Sequence, residues 1–149
     1  LLRARGWDQP HAFAAISEAV WWVTMVDATL VRYHPDAYDG VLAAHDVAGR
    51  QEIEGTFGGL RFVRNQMGYY QDHADFIKPV GPSTGTVAAW TWRPLPEPGL
   101  DSLPARGQEW EMTRYREYQA WLAGQPIGET FRRAGAFLRL ASDSCLARS

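Results

Sequence analysis

The sequence predicts an all-α domain, a five-helix bundle with a small β-hairpin inserted between the third and fourth helices. Three observations carry that prediction. Apolar residues recur at helical spacing over several separate stretches, as they do on helices buried along one side. Six of the nine prolines fall between Gln71 and Gly107, so the strongest breakers are gathered in one region. Hydrophobic residues make up 46% of the 149 positions, enough for one domain with its own core. The chain is therefore read as a single domain over 1–149, with 71–107 as a Pro-rich hairpin and loop insertion.

Leu1 to Pro10 is a lead-in, and Pro10 suits a first helical turn. The first helix is expected over His11–Val31, with Phe13, Ile16, Val20, Val23 and Leu30 as its stripe. Trp21, Trp22, Met25 and Val26 cover its other faces, so little of it should meet water. His34-Pro35-Asp36 ends that helix, with Asp36 placed to cap the next, Ala37–Ala48, which Gly49 closes. The third helix spans Gln51–Tyr70 and contains Gly55, Gly58 and Gly59. Glycine inside a helix costs about 1 kcal/mol against alanine, so a bulky neighbour should approach there. Trp21 and Trp22 are the expected neighbours.

The runs 75–80 and 86–92 read as a hairpin, with Ala88, Trp90 and Trp92 on the side facing the helices. Pro94 to Ala105 is a long loop, a common place for a lid. Helices follow over Gln108–Ala123, with Tyr115, Tyr118 and Leu122 inward, and over Ile127–Leu140, with Ile127, Phe131, Ala134 and Leu138 inward. A frayed tail is expected from Ser142.

The third helix carries the functional signal. Ile53, Phe57, Leu60, Arg64 and Met67 share one face, which places a guanidinium on an apolar seam. An isolated buried charge costs several kcal/mol, roughly, so Arg64 must either be paired or line a cleft where it meets an anion. Asp27 interrupts the first helix's stripe, so Asp27 or Glu18 is the expected ion-pair partner of Arg64.

Arg64 and Asn65, on such a helix, resemble the signature of HEPN domains, small α-bundles common in bacterial toxins and defence proteins. The family motif is Arg, a polar residue that is often Asn, and a His four to six positions after the Arg. The resemblance implies a metal-independent ribonuclease working in a dimer cleft. Positions 69 and 70 are Tyr and position 71 is Gln, so the His is out of register. The nearest is His73, which reaches the face of Arg64 only if the helix ends near Gly68. The implied roles are proton exchange by His73, phosphate stabilisation by Arg64, and orientation of phosphate or Arg by Asn65. Tyr69 and Tyr70 would stack on bases or donate a hydrogen bond. The missing register equally fits a non-enzymatic module of the same fold, antitoxin-like or oligomerising, with a protein partner.

Other chemistry finds little support. His34, Asp36, His45, Asp46, Asp72, His73 and Asp75 offer metal ligands, yet no H-x-x-x-H or E-x-x-H occurs, and neither a metal nor a cofactor is expected. Trp90-x-Trp92 with Arg93 is read as core sealing ahead of an aromatic platform. Cys145 is the only cysteine, which excludes an internal disulfide and suits a reducing cytoplasm. A net charge of −2 creates no global field for nucleic acid, so any RNA contact is a local patch. No apolar run is read as a membrane span.

Overall fold

The computed structural model of the chain describes residues 9–67, 76–80, 89–101 and 103–147. Five helices form the bundle: α1 (Gln9–Tyr33), α2 (Pro35–Ala43), α3 (Val47–Gln66), α4 (Ala105–Trp121) and α5 (Ile127–Leu146). Strands β1 (Ile77–Val80) and β2 (Ala89–Trp92) pair antiparallel between α3 and α4. This is the predicted fold class.

The bundle is built around α3, which packs most extensively on α4 and also meets α1 and α5. Its middle is consequently buried on several sides, from Gly55 through Leu60 and again at Phe62 and Val63. Phe57 and Leu60 of the predicted seam are sealed, while Ile53, Arg64 and Met67 are half-buried towards its ends. The glycines do admit a bulky neighbour, but it comes from α4 and not from the Trp pair of α1. A methyl group at Gly55 would fall inside the Trp121 indole, one at Gly58 on the Glu117 carboxylate, and one at Gly59 against Leu122. The missing side chains are what let α4 lie close along α3.

Two boundaries differ from expectation. The second helix stops at Ala43, and Asp46 caps α3 by accepting the Gly49 amide at 2.7 Å. Gly49 therefore opens a helix instead of closing one, because a side-chain carboxylate satisfies an amide left free at the first turn. Asp36 lies inside the first turn of α2 and does not cap it. The last helix continues through the tail expected to fray: Ala141 is buried and Cys145 packs half-buried against the core.

On α1 the buried face is Phe13, Ile16, Val20, Thr24, Asp27 and Leu30. Trp21 and Trp22 are 53% and 62% exposed, and Met25 and Val26 are exposed beside them. The expectation that little of this helix meets water is thus overturned, since α3, α5, α2 and β1 cover only its inner side. α1 also reaches the length and apolarity of a membrane span, over Pro10–Tyr33, which the sequence reading did not anticipate. Its inner stripe belongs to the core, although only 22% of the apolar window is buried.

The hairpin is anchored by Trp92, fully buried, whose indole NH donates to Thr130 Oγ1 at 3.0 Å. Its backbone also pairs with the turn before α5, where the Trp92 amide donates to the Gln125 carbonyl and Gly124 donates to the Trp92 carbonyl. Gly124 adopts φ 79°, the left-handed geometry that ends a helix without a Cβ penalty. The chain after β2 is held on α4, because the Leu95 carbonyl accepts from the Tyr115 hydroxyl at 2.9 Å and from the Gln119 amide.

Candidate functional site

Charged side chains gather where the C-terminal half of α3 faces α1 and α4. Asp27, fully buried, makes an ion pair with Arg61, and its other oxygen accepts from the Tyr38 hydroxyl at 2.7 Å. The sequence placed Asp27 in an interhelical pair correctly, but with the wrong arginine. Arg61 lies one turn before Arg64, and it is Arg61 that carries the bridge. Glu18 stays exposed and forms no ion pair among the described residues. Tyr38 is pushed well above the ordinary phenol range, first by burial and then by the Asp27 charge and hydrogen bond.

Arg64 is therefore left without a carboxylate among the described residues. Its contact is a long one, from Nη1 to Thr24 Oγ1 at 3.5 Å. Thr24 is itself satisfied as a donor by the Val20 carbonyl at 2.8 Å. Burial, and then the like charges of Arg114 and Arg61, pull Arg64 below the usual arginine range, with Asp27 opposing. The half-buried guanidinium thus lies in the field of two other arginines, each of which has its own acid, Asp27 for Arg61 and Glu111 for Arg114.

Asn65 projects to a different partner. Its amide NH2 donates to Glu111 Oε1 at 2.8 Å, Gln66 donates to Oε2 at 3.4 Å, and Arg114 Nη1 meets Oε1 at 3.2 Å. Glu111 is a hub for three side chains, its own side chain 13% exposed. These residues form one wall of a groove of about 930 Å³ between the end of α3, the segment 98–104 and the first half of α4. Trp110 stands in it, 55% exposed, with the Arg114 guanidinium 5.5 Å from its ring centroid. Arg106 lies on the same side.

Glu117, also on α4, has no ion pair or hydrogen bond among the described residues and rests on Gly58. Burial raises its carboxyl above the ordinary range, opposed by Arg61 and Arg114 and helped by Glu54.

The remaining expected site residues, His73, Tyr69 and Tyr70, lie outside the described residues, as does Ala88 of the hairpin face. α3 ends at Gln66, with Met67 as its C-cap, and the approach of His73 to Arg64 lies outside the described residues. Among the described residues no three His, Cys, Asp or Glu side chains are placed to share a metal. Asp46 caps α3, and His45 Nδ1 lies 2.9 Å from the Val41 carbonyl. Asp72 and Asp75 lie outside the described residues. Trp92 seals the core and Trp90 packs half-buried against it, so they form no open platform.

Sequence reasoning missed Arg61, Glu111, Arg114 and Trp110. Arg61 precedes Arg64 by three and shares its face, a signal that was legible. The α4 residues read as an ordinary charged surface, and only the packing of α4 on α3 brings them beside Asn65. No protein-family model matches the chain, and neither a curated protein nor a solved structure matches it.

Proposed function

We propose that this chain is a HEPN-like RNA-binding protein, of the kind expected in a bacterial toxin or defence system in the cytoplasm, with Arg64 as its phosphate contact. The observation that carries the reading is Arg64 itself: a half-buried guanidinium flanked by Arg61 and Arg114, with no carboxylate bound to it among the described residues. A phosphodiester supplies the negative charge and the pair of acceptor oxygens that such a group lacks. The groove beside it offers Trp110, Arg106 and the Glu111-paired Arg114, so its positive charge is local on a chain of net charge −2. Metal-independent cleavage is the enzymatic form of this reading. It assigns His73 the proton transfer, Asn65 the orientation of Arg or phosphate, and Tyr69 and Tyr70 base contacts.

The test is cleavage and binding of labelled RNA in EDTA by the wild type, Arg64→Ala and His73→Ala. Binding lost in Arg64→Ala and cleavage lost in both, with folding retained, is the expected result. Binding without cleavage reduces the reading to recognition alone. No binding by the wild type rejects it.

A second reading, a non-enzymatic interaction or oligomerising module, is favoured by the exposed apolar side of α1. Trp21, Trp22, Met25 and Val26 form a patch of the type that protein partners cover. Sedimentation of the wild type beside Trp21→Ser/Trp22→Ser, with RNA binding measured on both, separates the two. A homodimer lost in the double variant, with no RNA bound by either protein, places the function on α1.

A further inference from the structure

The groove between α3 and α4 is more than a cationic surface, because Glu111 fixes how its amides point. A carboxylate only accepts hydrogen bonds, so both amide NH2 groups that meet it, from Asn65 and Gln66, must turn their nitrogens towards Glu111. Their carbonyl oxygens are then left as acceptors, and no donor among the described residues meets either one. Both residues line the groove, as do Trp110, whose ring is 55% exposed, and the cations Arg106 and Arg114. The groove thus combines an aromatic face, two adjacent acceptors and flanking positive charge. A planar group carrying NH donors and tethered to phosphate meets all three.

We infer that this groove is a nucleobase pocket that selects bases bearing an exocyclic amino group, adenine, cytosine and guanine, over uracil. This rests on the RNA reading above and adds to it the recognition of the base. The amino group donates to the Asn65 and Gln66 carbonyls, the ring stacks on Trp110, and the adjoining phosphates meet Arg106 and Arg114. Uracil presents carbonyl oxygens on either side of its single ring NH, and these face the amide carbonyls with like partial charge. Glu111 is a positioning residue, holding the two amides in the orientation that makes them acceptors.

Fluorescence anisotropy with 5′-labelled hexamers of adenylate, cytidylate and uridylate, at one fixed salt concentration, tests the inference. Adenylate and cytidylate should bind about tenfold or more tighter than uridylate. Trp110→Ala should weaken adenylate binding about tenfold, the effect of one lost base stack, and Trp110→Phe should restore most of it. Asn65→Ala/Gln66→Ala should bring the adenylate and uridylate affinities to near parity, whatever it does to the overall strength of binding. All three substitutions alter half-buried or exposed positions, and circular dichroism checks that the helices persist. Equal affinity for the three hexamers, or adenylate binding indifferent to Trp110, overturns the pocket. If in that case binding still depends on Arg64, the RNA reading survives alone. If no hexamer binds, the RNA reading falls and the pocket with it.

Discussion

Asp27 and Glu117 show how differently two acids behave in one bundle. Asp27 is fully buried yet receives a guanidinium and a phenol, so both of its oxygens are engaged. Removing it takes from Arg61 its ion-pair partner at an interhelical contact. Asp27→Ala should lower stability by about 3 kcal/mol, the lower end for a broken buried pair, because Arg61 is 33% exposed and can be hydrated. Urea denaturation reads this directly, and Tyr38→Phe in the same assay should cost only about 1 kcal/mol. Glu117 is the opposite case, held on Gly58 without a partner. Its folded-state pKa is raised, so the native state holds that proton more tightly than the unfolded chain does. Its contribution is most favourable below the unfolded value of about 4.3 and is lost as pH rises through the raised folded value. Glu117→Gln should therefore raise the melting temperature at neutral pH and converge on the wild type in acid. A difference that persists unchanged at low pH would rule out this account.

Among the elements, the contact of α3 with α4 depends on small residues and the hairpin on a large one. Gly55→Ala drives a methyl group into the Trp121 ring, and since an indole cannot bend aside, overpacking of about 1–3 kcal/mol is expected by denaturant titration. Trp92→Ala should cost about 3–5 kcal/mol, because it empties a sealed site and strands the Thr130 hydroxyl. Trp21→Ser, on the exposed side of α1, should stay within about 0.5 kcal/mol in the monomer. The three substitutions together separate tryptophans and glycines that the sequence could not rank.

For the whole molecule, the acidic balance and the arginine cluster make distinct demands on binding. A ligand drawn by a net field would feel repulsion from a chain of charge −2, whereas a local patch acts only at short range. If Arg64, Arg106 and Arg114 each meet one phosphate of a single strand, the logarithm of the binding constant should fall against the logarithm of salt with a slope of about −2. Arg64→Ala should flatten that slope by about 0.7. An unchanged slope would remove Arg64 from the phosphate contacts.

Periodicity, with proline and glycine breakers between the periodic runs, was enough to place five helices and the hairpin, because burial on one side imposes a spacing that survives in the order of residues. It also singled out Asp27 and Arg64 as charges on apolar stripes, since such a misplacement is visible without coordinates. It could not say which arginine Asp27 would meet, because Arg61 and Arg64 stand one turn apart on one face and the choice depends on how α1 crosses α3. Nor could it tell that Trp21 and Trp22 face outward while Trp121 fills Gly55, for a tryptophan is equally apolar in both places. Glu111, Arg114 and Trp110 are forty or more residues from Arg64 and Asn65, and nothing in local order links them. The close approach of α4 to a glycine-lined α3 is what turns these separate charges into one groove.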